Sequence, residues 1–180
     1  MNGAGYVRRS KRIVYENAWL RFEAHDIVHP NGTPGEHGVV ATPPASAVVL
    51  IDGDEVLLAR QARFAIDRIV LEVIKGGRHA GEDALACAQR ESREEAGVIA
   101  ARWYALGVTY EIPSVVQEPV TLYLGEELTP APLPPEAVER IDVVRMTFKD
   151  ALEACADGRI DDAVTAIALL RAWRFVERRG

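Results

Sequence analysis

The sequence predicts an α+β fold, with a mixed central sheet between helices preceded by a small N-terminal antiparallel sheet. Three observations predict it. Short strand-like segments crowd the first 41 residues. After Pro43-Pro44, the apolar runs 46–52 (SAVVLID) and 69–74 (IVLEVI) read as strands buried on both faces. Two stretches with helical spacing, one beginning at Gly81-Glu82-Asp83 and one at 161–177, supply covering layers.

Residues 1–12 are small, polar and basic, with Tyr6, Arg8, Arg9, Lys11 and Arg12, and the leading MNGAG is expected to be loose. The basic cluster is either a phosphate contact or a solvated strand edge. Segments 13–15, 19–24, 27–29 and 37–41 read as short antiparallel strands, with a turn at Pro30-Asn31-Gly32. Pro43-Pro44 then separates a β subdomain, 1–43, from a larger domain, 44–180. In the larger domain, 46–52 and 55–60 form a hairpin around Gly53-Asp54. Arg63 follows, either as an anion contact or as a strand-end arginine paired with a surface carboxylate. Glu72 interrupts the third apolar run, and a carboxylate there needs a partner.

Gly76 and Gly77 suit a sharp strand-to-loop turn, and Gly81-Glu82-Asp83 starts the helix with acid at its positive end. Ala84, Leu85, Cys87 and Ala88 pack it, and Gly97 ends it. Strands are expected at 101–111 and 120–126, joined by a loop at 112–118 long enough to carry function. A proline-rich surface connection, 129–136, leads to a strand at 139–148 and a helix at 148–158. The last helix, 161–177, packs through Ala163, Ile167, Leu170 and Phe175. No internal repeat is evident.

Composition narrows the function classes. With 21 Lys and Arg against 27 Asp and Glu, the net charge of −6 offers no basic field for a nucleic-acid polymer. Hydrophobic residues at 48% are ordinary for a soluble globular protein, and no run approaches the ~20 apolar residues of a membrane span. The N-terminus lacks the apolar core of a secretion signal, so a cytoplasmic location is expected. Cys87 and Cys155 have no metal-ligand spacing, and Cys87 among alanines reads as a small buried thiol.

The stretch 76–98, GGRHAGEDALACAQRESREEAGV, carries the chemistry. Glu91, Glu94 and Glu95 stand at i, i+3 and i+4 of a helix, so three carboxylates share one face within one turn. They are either a solvated acidic face or a site for a hard cation such as Mg²⁺ or Mn²⁺, which prefers oxygen donors.

The spacing G-x5-E-x7-R-E-U-x-E-E-x-G-U, with U a bulky aliphatic, is met by Gly76, Glu82, Arg90, Glu91, Glu94, Glu95, Gly97 and Val98, with Ser92 standing at one aliphatic position. On these residues the chain resembles the Nudix hydrolases, which hydrolyse a nucleoside diphosphate linked to another moiety on an α/β/α sandwich. The resemblance implies Mg²⁺ or Mn²⁺ as cofactor, with Glu91 and Glu95 as main ligands, Glu94 assisting and Lys75 giving its carbonyl. Gly76 and Glu82 support the ligands, and Arg90 and Glu94 join the catalytic group. Glu72-Val73-Ile74-Lys75-Gly76 is similar to the family's E-L-P-A-G, with Ile74 and Lys75 replacing proline and alanine, and its Glu72 is implied to contact substrate.

Arg60, Gln61, Ala62, Arg63 and Phe64 resemble the RQ-x-R-aromatic run of ADP-ribose pyrophosphatases, which places Arg60 and Arg63 at phosphate. Pro113, fifteen residues beyond Val98, resembles a proline that marks that branch. Gln117-Glu118 matches a loop whose Glu assists catalysis, so Glu118 is the candidate general base. Glu111 is the reserve, and otherwise a substrate contact. The ending GRIDDAVTAIALLRAWRF is similar to the last helix of bacterial ADP-compound hydrolases, and the N-terminal sheet implies a homodimer. The implied substrate is a small nucleotide: ADP-ribose first, then NADH or diadenosine diphosphate. GDP-mannose or another sugar nucleotide is an alternative, and a non-catalytic nucleotide-binding sensor is the rival from outside enzymology.

Overall fold

The computed structural model describes residues 5–134 and 140–179. Residues 1–4 of the loose lead, Pro135 and Glu136 of the proline-rich connection, and Glu139 at the expected start of the last strand lie outside them. The chain divides into two compact units, Met1–Pro43 with Tyr110–Glu118, and Pro44–Thr109 with Pro119–Gly180.

In chain order, β1 (Val7–Glu16), β2 (Arg21–Val28) and β3 (Pro34–Ala41) come first. There follow β4 (Ala45–Asp52), β5 (Glu55–Arg63), a 3-10 turn at Phe64–Ile66, β6 (Arg68–Glu72), β7 (Ile74–Gly77), α1 (Ala84–Glu95) and β8 (Val98–Tyr110). The two-residue β9 (Val116–Gln117) precedes β10 (Pro119–Pro130), β11 (Ile141–Thr147), α2 (Phe148–Ala156) and α3 (Ala163–Glu177).

The first unit holds a sheet ordered β1-β2-β3-β9. Its first three strands pair antiparallel, as expected, and β9 adds itself parallel to β3 through Val40 and Ala41. The expected segments 19–24 and 27–29 merge into β2, and β1 begins earlier than expected, taking in the basic run. Lys11 reaches Glu23 at 2.8 Å and Arg12 reaches Glu36 at 2.6 Å, so these cations pair across the strands and form a strand edge. The turn forms where expected, with Gly32 at φ +85° and the His29 N–H on the Thr33 carbonyl at 2.8 Å.

The second unit holds a mixed sheet ordered β11-β5-β4-β10-β8, with β6 on β5 and β7 on β4. β10 runs parallel to β4, while β5, β7 and β11 join antiparallel pairs. The period of two along β4 explains its continuous apolar run. Ala45, Ala47 and Val49 pack in one cluster with Ala154 of α2 and Val164, Ala168 and Leu169 of α3. Val48 and Leu50 face the other way, toward Leu57, Ile74 and Ala88 of α1. A sheet with both faces covered by helices is the expected α/β/α layering. Each fully buried Leu or Val contributes roughly 1.5–3 kcal/mol.

Several boundaries move for physical reasons. β5 runs on to Arg63, and the 69–74 run breaks at Val73, whose N–H donates to Thr165 Oγ1 at 2.9 Å. Gly76 and Gly77 lie within β7, paired with Ser46 and Ala45, and the sharp turn falls at Gly81, φ +82°. Glu82 therefore precedes the helix, and Asp83 caps it by accepting from Ala86 N–H at 2.9 Å. Gly97 ends it at φ +67°, as expected. In α3, capped by Asp162, the buried stripe is Val164, Thr165, Ala168, Leu169 and Ala172. The expected packing residues Ala163 and Leu170 are exposed, while Ile167 and Phe175 pack at the edge of the core. Among the described residues no helix is long and apolar enough to cross a membrane.

Candidate active site

α1 buries Cys87, Ala88, Glu91, Ser92 and Glu95. The acidic face is therefore the packed face, and Glu91 and Glu95 are each only 8% exposed. Ser92, where the family pattern has an aliphatic residue, is fully buried, and its hydroxyl donates to the Ala88 carbonyl at 2.7 Å. That bond removes the cost of an unpaired polar group in the core. Burial also pushes the Cys87 thiol up to about 11, which keeps it protonated and inert.

The two buried carboxylates meet β7. Glu91 lies directly over Gly76, where any Cβ would overlap its carboxylate, so close approach rather than turn geometry requires glycine there. Glu95 Oε2 accepts the Lys75 N–H at 3.1 Å. Arg90 joins the remaining acids. Its Nε and one terminal nitrogen grip Glu82 at 2.9 and 3.0 Å, and its other terminal nitrogen reaches Glu91 at 2.6 Å and Glu94 at 2.8 Å. It also donates to the Gly77 carbonyl at 2.9 Å. This clamp holds the Glu82 carboxyl down at about 2 and raises Arg90 still further above its ordinary range. Among the described residues no three carboxylate, imidazole or thiol groups form a ready metal cluster.

A second charged group lies behind β7. Glu72, 3% exposed, is held by Arg63 through a two-point pair at 2.9 and 2.5 Å. Arg63 is thus a strand-end arginine paired with a carboxylate, as one of its two expected roles had it, although that carboxylate is buried rather than on the surface, and the pair raises its pKa. Lys75 Nζ lies 3.2 Å from Glu72 and 2.8 Å from Asp162. Sequence reasoning missed Asp162 and Thr165. Their signal was the D-x-x-T spacing of a helix cap, with Thr165 N–H donating to Asp162 at 2.8 Å.

The structure thus brings together Lys75, Gly76, Glu82, Arg90, Glu91, Glu94 and Glu95, and beside them Arg63 and Glu72. Arg60 instead forms an exposed pair with Asp142 at 2.9 Å. Glu111 and Glu118 belong to the first unit, on either side of the 112–117 loop. That loop is tied down by His37 Nε2, 2.8 Å from the Ser114 carbonyl oxygen, and by β9. A cavity of about 670 Å³ beside it is lined by Tyr6, His25, His37, Tyr110 and the loop itself.

A family model described as the NUDIX domain matches residues 41–167. The chain belongs to the Nudix family. A second model, the nucleoside diphosphate sugar hydrolase N-terminal domain, matches residues 8–40 of this Nudix chain. The ADP-ribose pyrophosphatase of Bacillus subtilis (strain 168) is 28% identical over 163 residues, covering 89% of this chain and 88% of the relative. The methanol dehydrogenase activator of Bacillus methanolicus is 26% identical, covering 87% and 86%. The crystal structure of an ADP compounds hydrolase superposes with a TM-score of 0.87 at 21% identity, covering 97% and 96% of the two chains, which shows a shared fold. Membership makes the chain a Nudix pyrophosphohydrolase, and the box residues found around α1 are those on which the sequence resembled the family.

Proposed function

We propose that this Nudix enzyme hydrolyses the diphosphate of an ADP-linked compound, ADP-ribose first, to AMP and ribose 5-phosphate. The observation that carries the reading is the burial of Glu91 and Glu95 on the packed face of α1, against Gly76 and the Lys75 N–H. Burying two carboxylates one turn apart is costly unless a cation or donors compensate them, and their all-oxygen chemistry suits a hard divalent ion. Glu91 and Glu95 would hold Mg²⁺ or Mn²⁺, with Glu94 and the Lys75 carbonyl assisting. When bound, such an ion neutralises diphosphate charge and lowers the pKa of water. Arg90 and Glu82 hold the carboxylates in place, and Arg63 and Glu72 are proposed to face substrate. In the reaction, water adds hydroxyl to one phosphorus and its proton ends on the departing phosphate.

Glu118 is proposed as the base that orients the water, with Glu111 in reserve. Glu118→Gln should lower turnover about 10²–10⁴-fold, the usual contribution of a general base, with Glu111→Gln near normal. The reverse pattern would exchange the two assignments.

A second reading, a sugar-nucleotide hydrolase, is favoured by the match of residues 8–40 to a nucleoside diphosphate sugar hydrolase N-terminal domain. A panel of ADP-ribose, NADH, diadenosine diphosphate and GDP-mannose with Mg²⁺ and with Mn²⁺ separates the readings. ADP-ribose should give the highest kcat/KM; preference for GDP-mannose favours the second. Binding of ADP-ribose without cleavage of anything would mean a sensor. We further propose that residues 1–43 act as a dimerisation subdomain beside the 44–180 Nudix domain, a reading supported by the exposed Ile13, Val14, Tyr15 and Trp19. Light scattering that reads a single chain would refute it.

A further inference from the structure

The E-L-P-A-G resemblance leads one to expect a small side chain at position 75, and this chain carries a lysine whose side chain is only 15% exposed. Residues 73–76 serve two faces. Ile74 packs in the cluster with Ala88 of α1, and Gly76 lies under Glu91. On the opposite side, Val73 packs in the cluster of α2 and α3, and Lys75 reaches Asp162 at the N-terminus of α3.

The grip of α3 on this segment is double. Asp162 accepts Lys75 Nζ at 2.8 Å through one oxygen, and Thr165 N–H and hydroxyl at 2.8 and 2.5 Å through the other. Thr165 Oγ1 in turn accepts the Val73 N–H at 2.9 Å. Positions 73 and 75 are therefore fixed to one helix end, one by its main chain and one by its side chain. Arg63, Glu72, Lys75 and Asp162 also alternate in sign, so the group is neutral. Burial alone would raise the Asp162 carboxyl, but the Lys75 ammonium and the Thr165 donors more than offset it and lower it.

We propose that Lys75 is a positioning residue whose side chain, anchored on Asp162 and Glu72, fixes the main-chain N–H that holds Glu95 and the carbonyl at the cation site. The inference rests on the reading of Glu91, Glu95 and the Lys75 carbonyl as that site. It assigns to the side chain a role separate from that of the carbonyl. A buried ion pair is weak support for stability, because apolar replacements are often neutral, so its expected effect is on geometry. Partners that orient metal ligands typically contribute 10–100-fold in affinity.

The test is Mn²⁺ binding to the substrate-free protein, read by electron paramagnetic resonance, beside thermal melting. Lys75→Met keeps the apolar stem but removes the charge. Asp162→Asn removes the anchor's charge while keeping a good helix cap. Each should weaken Mn²⁺ binding about 10-fold or more, and the double variant should be little worse than either single one, because both cut the same link. Turnover should recover as Mn²⁺ is raised, with KM for ADP-ribose unchanged. Mn²⁺ affinity within twofold of wild type in both folded variants, whatever their Tm, would overturn the proposal. If Glu95→Gln binds Mn²⁺ as tightly as wild type, the site reading itself falls and the anchor with it.

Discussion

Replacing Glu95 with glutamine is expected to lower Mg²⁺-dependent turnover of ADP-ribose at least about 100-fold while leaving the fold in place. The substitution separates charge from shape. Glu95 is 8% exposed and accepts the Lys75 N–H at 3.1 Å, and a glutamine carbonyl oxygen can accept the same bond. What is lost is one negative charge beside Glu91. If that charge binds the cation, its removal forfeits several kcal/mol of transition-state stabilisation, at 1.36 kcal/mol per tenfold. If instead the charge serves only the fold, its loss lowers the Tm and leaves the turnover of the folded variant unchanged. AMP release with Mg²⁺, set beside the Tm of the same variant, decides. Unchanged release would remove Glu95 from the site.

The box was legible because helical geometry converts spacing into position: i, i+3 and i+4 had to fall on one face whatever the rest of the chain did. Spacing did not say which way that face turned. The burial of Glu91 follows from Gly76, whose missing Cβ leaves room for a carboxylate against the strand, while Glu95 meets the Lys75 N–H. Glu82 was expected on the helix and lies before it, because Gly81 takes a left-handed turn and leaves Asp83 as the cap. Glu72 plainly needed a partner, but Arg63 reaches it only once β5 and β6 are paired. The Lys75–Asp162 link joins residues 87 positions apart, and no local pattern carries such information. Likewise β9 is a strand through its ladder with β3, since two residues have no periodicity of their own. The phase of α3 was misread at Ala163 and Leu170 because a long apolar run, AVTAIALL, fits more than one stripe.

The largest effect on stability is expected at Arg90. Its guanidinium, 15% exposed, meets Glu82, Glu91 and Glu94, whose side chains are 14%, 10% and 19% exposed. Arg90→Ala leaves three largely buried carboxylates without it. Breaking such a cluster from one side costs about 3 kcal/mol or more, equivalent to a Tm lower by about 6–12 °C for a chain of this size. Arg90→Lys should recover only part, because an ammonium cannot reproduce the two-point grip on Glu82 while also meeting Glu91 and Glu94. The pH dependence has a definite sign. Arg90 lowers the Glu82 carboxyl from 4.5 to about 2, so the stability it lends is fully present above pH 4.5 and is lost as pH falls toward 2. The gap in Tm between wild type and Arg90→Ala should therefore be widest near neutrality and close in acid. Added Mg²⁺ should raise the Tm of Arg90→Ala more than that of wild type, because the cation then supplies charge that the arginine no longer does. A gap in Tm that is absent at neutral pH would mean that these ion pairs contribute nothing net to the fold. A normal gap with no response to Mg²⁺ would leave the arginine as a structural clamp and count against a cation on the Glu91 face of α1.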